Sequence, residues 1–132
     1  MKKISLLFCL LTGTIGFSQT GYDIKINIKG AKDTMVFLAK YNFDKQYITD
    51  TCKKIKNGLI TFKGKKDLDK GVYFLVSQDK VRYFDFFVNM NTKMNISSDI
   101  SDMVNSLKSA DSKENEDFFG YIKFITQYFF EL

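Results

Sequence analysis

From Tyr22 to Lys29 the chain alternates without a break: Tyr22, Ile24, Ile26 and Ile28 take turns with Asp23, Lys25, Asn27 and Lys29. Neighbouring side chains of a strand point to opposite faces, so this stretch belongs to a sheet with one wet face and one buried face. Gly30, Lys32 and Asp33 then supply a turn, and residues 35–41 follow as a more continuously apolar strand. A third strand is expected over 47–55 and a fourth over 59–63. Asn57-Gly58 stands between them, and because both central residues of a type I′ turn need positive φ, it predicts a hairpin joining the two. Residues 72–77, 81–88 and 93–97 complete the set, with Gln78, Asp79 and Lys80 and then Asn89 to Asn91 in the gaps. Such spacing predicts a mainly β chain, an antiparallel β-sandwich or open barrel of about seven strands followed by a C-terminal helix.

From Asp99 onward the composition shifts to Ser, Asp, Asn and Lys. Asp111 or Ser112 can cap a helix, and Glu114 and Glu116 suit its first turn, where the helix dipole is positive. The helix is expected from about Lys113 to the end, and it is apolar nearly all round. Phe118, Phe119, Tyr121, Ile122, Phe124, Ile125, Tyr128, Phe129 and Phe130 leave Lys123, Thr126 and Gln127 as its polar remainder. A helix of this composition needs cover on several sides, or it exposes a patch large enough to mark an interaction site. Phe118, Phe119, Ile122 and Phe129 are therefore the candidate interaction residues, and self-association through the helix is expected.

Ahead of the first strand, Lys2 and Lys3 precede an apolar run from Ile4 to Ile15, shorter than the roughly 20 residues that cross a bilayer. Gly16 and Ser18 place small residues where a signal peptidase cutting before Gln19 needs them. The expected organisation is a signal peptide over 1–18, a β-sandwich domain over 19–98, a linker over 99–112 and the helix over 113–132. The product is expected to be exported to the periplasm or cell envelope and soluble after cleavage. Cys9 follows Phe8 inside the apolar run and is not placed as a lipid-attachment residue. Loss of the leader leaves Cys52 alone, so no intramolecular disulfide is expected. Cys52 is then either a small apolar core residue or a candidate redox thiol, with Lys53 and Lys54 beside it.

The chain has no histidine, which removes the commonest general base and the commonest metal ligand. No phosphate-binding glycine loop, nucleophile elbow or metal-ligand spacing occurs either, so no catalytic residue, metal or cofactor is expected. The formal charge of +5 is spread along the chain with Arg82 the single arginine, a pattern without the basic stripe of a nucleic-acid binder. Asp85, set in Tyr83-Phe84-Asp85-Phe86-Phe87, is expected on the face shared by Tyr83 and Phe87, with Arg82 solvated on the other. Tyr41, Phe43 and Tyr47 are candidate ligand-contact aromatics for a sugar ring or an apolar small molecule.

Asp50-Thr51 before a lysine-rich stretch, Asn57-Gly58-Leu59-Ile60-Thr61-Phe62-Lys63-Gly64 and Gly71-Val72-Tyr73-Phe74-Leu75-Val76 follow one another in that order. They resemble a small β-rich domain, formerly of unknown function, found N-terminal to thioredoxin-like modules in exported thiol-disulfide interchange proteins of Gram-negative bacteria. Phe84-Asp85-Phe86-Phe87-Val88 and the segment from Ser112 to Tyr121 are similar to the part that leads into the helical region of those proteins. The resemblance implies a leader module without the thioredoxin domain, present as a fragment or truncated form, whose partner is another protein or the missing C-terminal thioredoxin-like domain. No catalytic residue carries over, because the Cys-x-x-Cys motif belongs to that later domain. The function expected is a non-catalytic envelope interaction or positioning module of a thiol-disulfide oxidoreductase-type protein. The alternative is a stand-alone periplasmic module binding a glycan or an apolar small molecule.

Overall fold

The computed structural model describes residues 21–89 and 92–130. The expected leader and Cys9 lie outside the described residues. Eight strands, β1 (Tyr22–Lys29), β2 (Val36–Asn42), β3 (Lys45–Cys52), β4 (Leu59–Gly64), β5 (Gly71–Ser77), β6 (Arg82–Val88), β7 (Lys93–Asp99) and β8 (Lys108–Ser109), precede one helix, α1 (Lys113–Phe130). They form two four-stranded sheets in the orders β4-β1-β7-β8 and β3-β2-β5-β6, which do not close into a barrel. Every pairing is antiparallel except β1 with β7, which is parallel.

The alternation in β1 sets the first layer. Ile24, Ile26 and Ile28 have no solvent exposure, and on the same inner face lie Ile60 and Phe62 from β4 and Met94 and Ile96 from β7. Their registered partners, Ile24 with Phe62 and Met94 and Ile26 with Ile60 and Ile96, make a continuous apolar floor. The second layer covers it with Val36 and Leu38 from β2, Tyr73 and Leu75 from β5, and Phe84, Phe86 and Val88 from β6.

Asn57 and Gly58 do form the expected turn, with φ of 52° and 76°, closed by Leu59 N–H donating to the Lys56 carbonyl at 2.9 Å. The expected hairpin does not follow. β3 pairs with β2 and β4 pairs with β1, so the turn links two layers rather than two neighbours in one sheet. Turn chemistry fixes the local backbone, whereas pairing is decided by where the apolar faces of Ile60 and Phe62 find cover. The third strand accordingly runs earlier than 47–55. It starts at Lys45 after a tight turn at Phe43-Asp44, where Phe43 has φ of 56°. Residues 99–112, expected as a linker, contain β8 and give Leu107 to the core.

Two tyrosines tie distant segments through carboxylates. Tyr22 of β1 donates to Asp50 Oδ2 of β3 at 2.7 Å, joining the sheets, and Tyr83 of β6 donates to Asp33 Oδ2 at 2.5 Å. Burial and then the Asp50 hydrogen bond push the Tyr22 hydroxyl up to about 12, and burial with the Asp69 charge does the same for Tyr73. Tyr83 is also raised, by burial and then by Asp33. Each group is neutral while protonated, and its folded value lies above the ordinary 10.0. The stability it contributes is therefore complete below pH 10 and lost as pH rises through about 12. Alkaline titration followed by circular dichroism and tyrosinate absorbance should show unfolding in that window, with a shallower pH dependence in Tyr22→Phe.

Candidate functional site

α1 starts where the sequence supplies a cap. Glu116 N–H donates to the Ser112 carbonyl at 2.9 Å and Asn115 N–H to Ser112 Oγ at 3.3 Å, so Ser112 is the N-cap. Asp111 instead accepts from Asn95 N–H and Asn95 Nδ2, each at 2.9 Å, which fastens the helix start to β7.

The next turn enters the core. Asn115 is fully buried; its Oδ1 accepts from Phe87 N–H at 2.7 Å, and its Nδ2 donates to the Phe87 carbonyl at 2.9 Å. Nδ2 also lies 3.1 Å from Ser112 Oγ and 3.4 Å from Met94 Sδ. β6 is the outer strand of its sheet, so this amide takes the place of a missing neighbour at Phe87. One turn on, Phe119 is 1% exposed and meets Phe84 edge-on at 6.2 Å, while Phe118 packs against Phe87 at 4.7 Å.

Beyond Gly120 the helix changes character. Tyr121, Phe124, Tyr128, Phe129 and Phe130 range from 60% to 83% exposed. Phe124 stacks on Tyr128 at 6.2 Å, and Tyr128 meets Phe129 at 5.2 Å, giving a connected aromatic row. Tyr121, Phe124 and Tyr128 lie on the side opposite Asn115 and Phe119, while Phe129 and Phe130 are exposed at the helix end on the anchors' own side. Of the four expected interaction residues, Phe129 belongs to this row and Phe119 belongs to the core; Phe118 and Ile122 are half-buried between them. Tyr121, Phe124, Tyr128 and Phe130 were the missed members. Helical spacing counted from a buried Phe119 identifies the Tyr121, Phe124 and Tyr128 face, but composition alone does not say which aromatic is the anchor.

A second surface lies on the outer face of the β3-β2-β5-β6 sheet. Arg82 lays its guanidinium over Phe74 at 4.3 Å and over Tyr41 at 4.9 Å. It also pairs with Asp85, through Nε at 2.8 Å and the terminal nitrogen at 2.5 Å to each carboxylate oxygen. Arg82 and Asp85 were expected on opposite faces. Phe74 faces Asp85 while Val76 faces Arg82, so three steps on β6 oppose two on β5, and this irregularity turns Arg82 onto the Asp85 face. Partial burial is the largest single influence and works against the Arg82 charge, but Asp85 and Tyr41 together outweigh it and hold the proton more firmly than usual. Beside this cluster runs a groove of about 560 Å³ lined by Phe37, Tyr47, Ile48, Val76, Lys80 and Arg82.

The candidate ligand-contact aromatics are not gathered there. Tyr47 lines the groove, Tyr41 lies beneath Arg82, and Phe43 sits at the β2–β3 turn, 97% exposed. Cys52 packs in the core, its thiol 3.9 Å from the Lys54 carbonyl. Among the described residues, no group of three or more His, Cys, Asp or Glu side chains could hold a metal ion, and no helix is long and apolar enough to cross a membrane.

Replacing Asn115 with Ala leaves the Phe87 N–H and carbonyl without their partner. Urea unfolding of Asn115→Ala should give a loss of about 3 kcal/mol, accompanied by faster hydrogen exchange at Phe87.

With this geometry in hand, comparison with known families gives one match: the model described as a domain of unknown function (DUF4369) matches residues 22–118. No curated protein and no solved structure matches the chain.

Proposed function

The chain belongs to the DUF4369 family, and we propose that it is a non-catalytic interaction and positioning module that presents the far half of α1 to a protein partner. The observation that carries this reading is the aromatic row from Tyr121 to Phe130, exposed on a helix whose first turns are locked into the core. A rigid helix bearing exposed aromatics loses little entropy on docking and offers large contact area, the usual character of a binding anchor. The resemblance to domains preceding thioredoxin-like modules, together with the leader pattern of residues 1–18, supports a partner of the thiol-disulfide oxidoreductase type in the cell envelope. The proposed contribution is placement of that partner.

Sedimentation of residues 19–132, alone and mixed with a thioredoxin-fold domain carrying a Cys-x-x-Cys motif, tests the reading. Association is expected in at least one of the two samples, weakened about tenfold or more by Phe124→Ser with Phe129→Ser. Truncation after Gly120 should abolish it while keeping the Asn115 and Phe119 anchors. A strictly monomeric chain that ignores the thioredoxin-fold domain would overturn the proposal.

The groove over β2 and β5 favours a second reading, a ligand-binding module for a glycan or an apolar small molecule. Its apolar floor of Phe37 and Val76 ends at Lys80 and Arg82, which suits a ligand with an apolar body and a polar or anionic group. Under this reading, a glycan and fatty-acid panel should produce saturable changes in tyrosine fluorescence that vanish in Phe37→Ala. The absence of any saturable change up to millimolar ligand would eliminate it.

A further inference from the structure

A larger groove than the one over β2 and β5 lies elsewhere, between β8 and the first half of α1. It measures about 720 Å³, and Leu107, Ser109, Phe119, Lys108, Gly120 and Lys123 line it. β8 is the outer strand of its sheet, so only one of its edges is paired. On that paired edge, Ala110 N–H donates to the Asn95 carbonyl at 3.1 Å, continuing the register of Ser109 with Ile96 and Lys108 with Ser97. Residues of an antiparallel pair alternate between exchanging backbone hydrogen bonds and pointing them outward. Since Ala110 bonds inward, the neighbouring Ser109 turns its N–H and carbonyl away from β7, to the open edge of β8.

Three further features converge on the same place. Ser109 Oγ is buried, with the residue only 8% exposed, and has no hydrogen-bond partner among the described residues. Gly120 leaves the helix backbone bare at the groove wall, and a Cβ built there would meet nothing within 4 Å. Two acidic side chains also line the groove: Asp117, which pairs with Lys113, and Glu116. Lys108 and Lys123 form none of the ion pairs found among the described residues, so the two lysines outnumber Glu116, the one lining carboxylate that no ion pair engages, and the groove keeps a net positive charge.

We propose that this groove binds an extended acidic peptide segment of a partner protein, which adds as a strand along the free edge at Ser109 and packs against α1. The peptide backbone pairs with the Ser109 N–H and carbonyl, a polar atom reaches Ser109 Oγ, a side chain lies over Gly120, and a carboxylate is met by Lys108 and Lys123. Strand addition against an edge flanked by a helix combines main-chain hydrogen bonding for affinity with side-chain pockets for selectivity. This surface is separate from the aromatic row beyond Gly120 and does not depend on it.

The test is an amide NMR titration of residues 19–132 with a short acetylated peptide that alternates threonine and valine between terminal glutamates, beside a counterpart carrying lysines in place of the glutamates. Binding of the acidic peptide is expected to shift the Ser109, Gly120 and Lys123 amides and to slow hydrogen exchange at Ser109. Affinity should fall about tenfold in Gly120→Leu, which fills the notch while improving helix propensity, and similarly in Lys123→Glu. Equal binding of both peptides, shifts centred on Phe37 and Val76 or on the aromatic row, or no shift at millimolar peptide would each overturn the proposal. Phe124→Ser with Phe129→Ser, which removes association through the aromatic row, should leave this binding unchanged, so failure of either idea is distinguishable from failure of the other.

Discussion

The Asn115 amide closes the open edge of β6 against the helix, and the rest of the molecule's functional geometry depends on it. An edge strand beside a core has backbone groups that face neither water nor a neighbouring strand, and leaving them unpaired is costly. A second sheet strand would satisfy them with a flat ribbon. Asn115 satisfies Phe87 on both its donor and its acceptor from a helix instead. That substitution fixes which side of α1 faces inward. Phe119, four residues later, must then enter the core, and Tyr121, Phe124 and Tyr128 must point the other way. The exposed face of Tyr121, Phe124 and Tyr128 is therefore a consequence of how the edge was closed.

Much of the fold was legible because β-strand periodicity is a short-range signal. The isoleucines of β1 alternate strictly and are wholly buried, and β4, β5, β6 and β7 fall where apolar residues and turns placed them. What the pattern could not contain was pairing. Asn57-Gly58 specifies two positive φ angles and nothing about which strand lies beside β4, so a sound turn signal led to a wrong neighbour. β8 is too short to display any period, and its place beside β7 depends on Leu107 reaching the core and on Asp111 holding Asn95.

The candidate surfaces were less legible for the same reason. Composition marked α1 as over-apolar, but only the position of Asn115 and Phe119 in the core separates anchors from exposed residues. Arg82 and Asp85 are three apart, which strict alternation assigns to opposite faces. The register irregularity between β5 and β6 brings them together, because β6 carries one extra residue between Arg82 and Asp85 relative to β5, and alternation read along β6 alone does not show it. Cys52 shows the reverse: an odd cysteine invites a chemical role, yet the fold places it among core side chains.

The parallel pairing of β1 with β7 governs the order in which the molecule can assemble. β2, β3, β5 and β6 are linked by short antiparallel connections within one middle stretch of chain, with β4 the only strand interposed. β1 is made first yet takes its two neighbours from residues 59–64 and 93–99, so the first sheet stays incomplete until nearly all of the strand-forming sequence exists. Long-range closure of this kind slows folding, because chain entropy is lost before the contacts that reward it form. The Phe87 edge emerges before Asn115, so until the helix start arrives β6 is an unprotected strand. The last residues to join the core are thus the ones that end its exposure.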